Sequence, residues 1–274
     1  MKVVSQWCLL RRHYPALLVP KEVKQTRESN RRAMQSTNPE GWDKPQKILI
    51  ILAHPDDPEF FCGASIARWT NFGHEIIYCL LTRGDKGARD DSISPFELGL
   101  RREREQVAAG KVIGVNRVRF LTFTDGQLQS DPQTRKAVVR VIRQEKPTIV
   151  LSSDPLNMFP SDVNINHPDH RAAGQIVVDS IFPASGNPLF FPDLIQEGLH
   201  PHSVREVWFS LTSQANICID VTEYWEKKIE ALHQHDSQIT DHVQLEKRIR
   251  SRHTSDSTDE MPRYEERFRR IIFG

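Results

Sequence analysis

The chain has 274 residues, 27% of them charged, and a net charge of +1, which fits one large globular domain or two small ones. So even a balance sets up no field toward nucleic acid or an anionic membrane, and no apolar run approaches the roughly 18 residues of a membrane span. Four cysteines (Cys8, Cys62, Cys79, Cys218) without CxxC spacing argue against a disulfide framework or a zinc finger and suit a reducing, cytoplasmic setting.

Residues 1–33 hold eight basic residues against two acidic ones, and the apolar clusters WCLL and ALLV are split by RRHYP. That leaves no continuous signal-peptide core, and few serines speak against a transit peptide. Residues 1–45 are therefore expected to be a flexible extension before one domain over 46–274, with Met34 as the expected start of translation. KILIILA (47–53) reads as a strand buried on both faces. CGASIARWTNFGH follows with Ile66, Trp69 and Phe72 at helical spacing and Gly73 as the stop. EIIYCLLT is a second buried strand, FELGLRREREQVAAGKVIG a charged amphipathic helix, and RVRFLTF a third strand. DPQTRKAVVRVIRQEK is a helix with an Asp131 cap and Pro132 in its first turn, and PTIVLSSDP a fourth strand.

This rhythm predicts an α/β, Rossmann-like fold: a mostly parallel sheet covered by helices on both faces. Polar groups after the strand ends then share one rim, where such sheets bind ligands. Those groups are His54 to Asp57, Arg83 to Asp85, Asp125 and Asp154. Beyond residue 184 the pattern loosens. REVWFSL and ANICIDV read as strands, TEYWEKKIEALHQHDSQI as a helix capped by Thr222, and YEERFRRIIFG as a short docking helix. The apolar, proline-rich stretch from Ser185 to Ser203 is read as a lid or an oligomer contact; Phe190 and Phe191 side by side favour a partner surface and a homo-oligomer.

Two stretches carry the chemistry. AHPDD breaks an apolar run with His54, Asp56 and Asp57, groups that are costly to bury without compensation. NINHPDHRAAG places His167 and His170 three apart where a loop enters a helix. Either alone is more often a turn, because Pro and Asp favour turns. Together, on one rim, they offer three histidines and two carboxylates. Two His nitrogens and one carboxylate oxygen make a zinc site with a fourth position open, leaving one Asp and one His as acid/base partners.

AHPDD, CGASIARW, FGHEI, LTRGDKG, the RxxE of Arg102 and Glu105, the DG at Asp125 and HPDHRAAG follow in the order of LmbE-like proteins, which the chain resembles over roughly residues 46–236. These are the PIG-L superfamily of zinc-dependent N-deacetylases. The resemblance implies a hydrolase that removes acetyl from an N-acetylated amino sugar or its conjugate. It implies His54, Asp57 and His170 as zinc ligands, Asp56 as the general base toward water, and His167 as the group that steadies the oxyanion or protonates the leaving amine. Two His and one Asp also suit Fe²⁺ or another divalent ion. Mycothiol-type members carry a tyrosine where this chain has Ile165, so Asn164 or Asn166 takes that role, the metal and His167 suffice, or the substrate differs.

Arg83, Asp85, Arg102 and Asp125 are further candidates for substrate contact; as alternatives, Arg83 and Asp85 cap a connection, Arg102 pairs with Glu105, and Asp125 forms a turn. His233, His235 and Asp236 are read as a solvated helix face, and the five tryptophans as too dispersed for a stacking groove. Three other readings remain: an amidase or thiol-conjugate hydrolase on a non-sugar amide, a nucleotide-binding module, and a catalytically silent binding module. The first strand lacks a GxGxxG or P-loop cradle. Retention of all five metal and acid/base groups weighs against a silent scaffold. The expected partner is a small N-acetylated molecule, with no nucleic acid and no membrane span.

Overall fold

Lys47–Leu52 forms β1, whose apolar residues are buried on both sides, as a central parallel strand requires. The computed structural model describes residues 38–88 and 92–274. Of the expected N-terminal extension over 1–45, residues 38–45 are described, with Trp42 buried against the core; the expectations for residues 1–37, for Met34 and for Trp7 and Cys8 lie outside the described residues. Six more strands complete a single sheet in the order β3-β2-β1-β4-β5-β7-β6. They are β2 (Glu75–Thr82), β3 (Arg117–Phe123), β4 (Ile149–Ser153), β5 (Glu206–Ser210), β6 (Ile217–Asp220) and β7 (Glu265–Ile272). Strands β1 to β5 pair in parallel; β7 runs antiparallel to both β5 and β6.

The helices follow the strands as the rhythm predicts: α1 (Asp57–Asn71), α2 (Pro95–Val112), α3 (Pro132–Glu145) and α4 (Pro168–Asp179). Asp131 caps α3 by accepting the Thr134 amide at 2.8 Å. Alternate residues of β1 feed two cores. Ile48, Ile50 and Leu52 pack with Ile66 and Trp69 of α1 and Ala109 of α2; Leu49, Ile51 and Ala53 pack with Val138 and Ile142 of α3 and Ile176 of α4. The loops after β1 and β4 therefore leave toward opposite faces, and a crevice opens between them at the sheet's topological switch point.

The C-terminal third departs from expectation. Residues 265–272 form strand β7 rather than a helix: Glu266 and Phe268 are buried while Glu265 and Arg267 face outward, a period of two that only a strand accommodates. The predicted helix from Thr222 shortens to a 3-10 turn (Thr222–Tyr224) and α6 (Trp225–Leu232). The stretch from Ser185 to Ser203 is not a lid. It carries the short helix α5 (Pro192–Gln196) and packs on α3, where buried Arg143 donates to the carbonyls of Ala184, Ser185, Asn187 and Phe190. His202 then reaches Pro147 O at 2.7 Å, at the start of β4 and away from the rim. A last helix, α7 (His242–Arg250), packs through Leu245 and Ile249. Trp42, Trp69 and Trp208, dispersed in sequence, meet Phe268 in one aromatic core with ring centroids 5.3 to 5.9 Å apart.

Helix α1 is interrupted at Cys62 (φ −151°). Glu266 of β7 fills the break: its carboxylate accepts the amides of Ala64 (3.3 Å) and Ser65 (2.7 Å) and pairs with Lys228 Nζ of α6 at 2.6 Å. Lys228 also donates to Phe60 O at 3.1 Å. Both charged groups are almost fully buried.

Candidate active site

The AHPDD turn runs from the end of β1 into α1. The His54 amide donates to Asp57 Oδ2 at 2.8 Å, closing the turn. Asp56 sits at φ +88°, a left-handed backbone that is strained for any residue with a Cβ. Surrounding groups hold it there. Its amide donates to Gln106 Oε1 at 2.8 Å, and its carboxylate accepts Arg102 Nη2 at 3.2 Å. The same guanidinium donates to Pro55 O (2.6 Å) and Gly84 O (2.7 Å), fastening the β1 and β2 loops together. Arg102 does not form the expected pair with Glu105, which instead bonds Arg101 and Ser237, because its side chain is drawn under the turn to Pro55 O, Gly84 O and Asp56.

The two motifs meet. His170 Nε2 lies 3.0 Å from Asp57 Oδ1, and His54 Nδ1 lies 3.5 Å from Asp57 Oδ2. The rings of His54, His167 and His170 lie 4.8 to 5.2 Å from one another. On its far side His54 Nε2 faces Asp125 Oδ1 (3.2 Å) and Asp169 Oδ2 (3.3 Å). Burial works against charge on His54, yet Asp125, Asp169 and Asp57 carry its pKa up to about 12. Burial likewise opposes ionisation of Asp57, but His170 and His54 hold its carboxyl well below the ordinary range. Asp56 is pushed up to about 6 by burial, against the pull of Arg102. Asp125 stays down at about 2 despite burial, chiefly through His54. Burial and the neighbouring imidazoles lower His167.

This donor set fits a divalent cation. Asn166 Nδ2 donates to Asn157 O at 2.8 Å, which turns Asn166 Oδ1 toward His170 Nδ1 at 3.0 Å. That bond places the His170 proton on Nδ1 and aims the Nε2 lone pair at the Asp57 carboxylate. A lone pair facing a carboxylate oxygen needs a proton or a cation between them. His54, with carboxylates at both ring nitrogens, poses the same need. Three imidazoles, and separately His54 with Asp125 and Asp169, bring ligand atoms within 4.8 Å of each other.

The other expected residues divide. Arg83 pairs with Glu103 at 2.6 Å. Asp85 Oδ1 is buried without a hydrogen-bond partner among the described residues. Asp125 also accepts the Lys86 amide at 2.8 Å. Asp154 caps its own loop through the Leu156 amide. Ile165 is 77% exposed, Asn164 bonds Ser161, and Asn166 is committed to His170. His235, read as solvated, is instead buried, with Nε2 3.2 Å from Glu59 Oε2. Asp236 is exposed.

Sequence reasoning passed over Asp169, inside HPDH, which accepts the amides of Gly126 (2.7 Å) and Leu128 (3.2 Å) as well as facing His54. A carboxylate in the first turn of a helix gave the only local signal. Glu59, which follows Pro58 after AHPDD and was assigned no role from the sequence, collects Tyr78, Gln106 and His235 beneath the turn.

Gly174 lets α4 press against the end of β4. A Cβ there would stand 2.3 Å from Ser153 O and 2.8 Å from Pro155 N. Gly174→Ala is expected to lower stability by about 1–3 kcal/mol and to reduce metal uptake, since His170 lies one turn earlier on the displaced helix. Thermal melts with and without added zinc check this; an unchanged melting point would show the helix free to shift.

Residues 49–181 match the PIG-L family, described as GlcNAc-PI de-N-acetylase. The diacetylchitobiose deacetylase of Thermococcus kodakarensis is 36% identical over 204 residues, 74% of this chain and 74% of that one. The chain belongs to the PIG-L family of deacetylases. Among solved PIG-L-like structures, the N,N'-diacetylchitobiose deacetylase from Pyrococcus horikoshii aligns with a TM-score of 0.76 at 28% identity, over 94% of this chain and 95% of that one. A 1D-myo-inositol 2-acetamido-2-deoxy-alpha-D-glucopyranoside deacetylase of Streptomyces avermitilis is 27% identical over 179 residues, 54% of this chain and 57% of that one. The PIG-L match spans both site motifs and ends at residue 181 within the turn after α4, before β5. No helix among the described residues is long and apolar enough to cross a membrane.

Proposed function

We propose that this PIG-L protein is a zinc-dependent N-deacetylase that hydrolyses the acetamide of an N-acetylated amino sugar or its conjugate, releasing acetate and a free amine. The observation that carries the reading is the meeting of His54, Asp57 and His170 at the switch point, with Asp56 held beside them on Arg102. His54, Asp57 and His170 would hold the ion. A divalent cation bound there supplies Lewis acidity, polarising the carbonyl and bringing the pKa of water toward about 7.

The chain's own groups supply the remaining chemistry. Asp56 accepts the proton that water loses as its oxygen bonds to the acetyl carbon. The Asp169 amide donates to His167 Nδ1 at 3.2 Å, so neutral His167 carries its proton on Nε2. From there it donates a hydrogen bond to the oxyanion, and the proton that Asp56 took from water passes to the nitrogen as the C–N bond breaks. Asp125 and Asp169 orient His54 from behind. Three buried free thiols, Cys62, Cys79 and Cys218, suit a reducing compartment such as the cytoplasm.

The test pairs metal content with acetate release from N-acetylglucosamine and its conjugates. The expected protein holds about one zinc or iron per chain, and His170→Ala loses it together with roughly a hundredfold or more of the rate. Full metal and full rate in the variant would remove His170 from the ligand set.

A further inference from the structure

We infer that Glu59 is a positioning residue for Asp56, acting through Gln106, whose side-chain amide it orients so that the oxygen holds the left-handed Asp56 backbone. The inference rests on the deacetylase reading above, in which Asp56 is the base.

The Asp56 backbone needs such a hold. Asp56 is the N-cap of α1, where a residue ordinarily takes an extended backbone and its side chain accepts an amide of the first turn. At φ +88° its carboxylate makes no such bond and goes to Arg102 instead. A conformation of this kind persists only where its surroundings over-determine it. In a capping box, the Glu at the third helical position accepts the N-cap amide directly. Glu59 holds that position in α1, but the left-handed turn sends the Asp56 amide to Gln106 Oε1 of α2 at 2.8 Å. Gln106 Nε2 then passes the contact on, donating to the two Glu59 carboxylate oxygens at 2.9 and 3.0 Å.

The order of donors and acceptors fixes the direction of this relay. An amide side chain donates from one end and accepts at the other. With Gln106 turned over, its NH2 would face the Asp56 N–H and its oxygen would face the Glu59 carboxylate. Two like contacts would replace two hydrogen bonds. Glu59 is itself held from the far side: the Tyr78 hydroxyl donates to Oε1 at 3.2 Å, and His235 Nε2 lies 3.2 Å from Oε2. Glu59, Tyr78 and Gln106 are fully buried and His235 is 1% exposed, so bulk water does not compete for these bonds. The support comes from α1, α2, β2 and the end of α6, so the base stands on packed elements although its own residue lies in a turn.

The experiment measures kcat, KM and metal content for acetate release from N,N'-diacetylchitobiose by the zinc-loaded full chain. Gln106→Met removes the acceptor. Gln106→Glu keeps it but sets a second carboxylate against Glu59. Glu59→Gln combined with Gln106→Glu exchanges donor and acceptor, so the relay is complete again. Glu206→Gln is the comparison for lost stability alone, since Glu206 is a buried carboxylate at the start of β5 that bonds Trp42, Trp208 and Arg270. In both single Gln106 variants kcat per bound metal is expected to fall about ten- to a hundredfold, the scale of a misplaced catalytic group, with KM within about twofold of wild type. The double variant is expected to return to within about threefold of wild type, the non-additivity of residues that act as one unit. Glu206→Gln is expected to melt earlier with kcat per bound metal unchanged. An undiminished kcat per bound metal in Gln106→Met overturns the hold on Asp56. A double variant no faster than Gln106→Glu overturns the part of Glu59. Should the wild type release no acetate, the deacetylase reading fails, and hydrogen exchange at the Asp56 amide, referred to the amides of β1, decides the relay alone. Faster exchange in both single Gln106 variants and wild-type exchange in the double one support it; one rate in all of them overturns it.

Discussion

Asp56→Asn is expected to lower kcat for acetate release by roughly 10²–10⁴-fold while leaving metal content at the wild-type level. The substitution is chosen for what it preserves. Asparagine tolerates a left-handed backbone better than most residues, so φ +88° survives. Its side-chain oxygen still accepts from Arg102, and its amide still donates to Gln106. Only the capacity to take a proton is removed. Acetate assay and metal analysis on the same preparation separate the outcomes. A rate within about threefold of wild type would remove Asp56 as the base, and concurrent metal loss would make it a ligand instead.

Lys228→Ala is expected to lower the unfolding free energy by about 3–5 kcal/mol, the scale for stranding one member of a buried ion pair. Glu266 would keep its bonds to the Ala64 and Ser65 amides but lose the cation 2.6 Å away. Phe60 O would lose its donor as well. Replacing both partners by methionine, which often restores stability elsewhere, is not expected to do so here. The two amides at the break in α1 would have no acceptor left, and a buried orphan donor costs about 1–3 kcal/mol. Urea denaturation of the single and double variants reads this directly. A double variant as stable as wild type would show that Glu266 does not cap the helix break.

Much of this molecule was legible in the order of its residues. Alternation of apolar runs with amphipathic segments is a local signal, and it identified β1 to β4 and α1 to α4. Parallel pairing then requires every strand to end on the same rim, so AHPDD and HPDH fall together on it. The C-terminal strand was missed although Glu266 and Phe268 alternate with Glu265 and Arg267, because a charged residue on the buried face disguises the period. Its burial makes sense only once Lys228 and the broken end of α1 stand beside it.

The same reason separates the legible half of the site from the rest. His54, Asp57 and His170 declare themselves because unusual residue types cluster at short spacing. His235 does not: it is buried by Glu59, 176 positions earlier, and nothing near it in the chain announces that partner. Arg102 likewise looked like half of a surface ion pair until folding brought Pro55 O, Gly84 O and Asp56 to its guanidinium. A charged side chain reads as solvated until the group that neutralises it is placed. Long-range pairing of buried polar groups is therefore what tertiary structure decided, while strand order, rim and motif followed from local pattern.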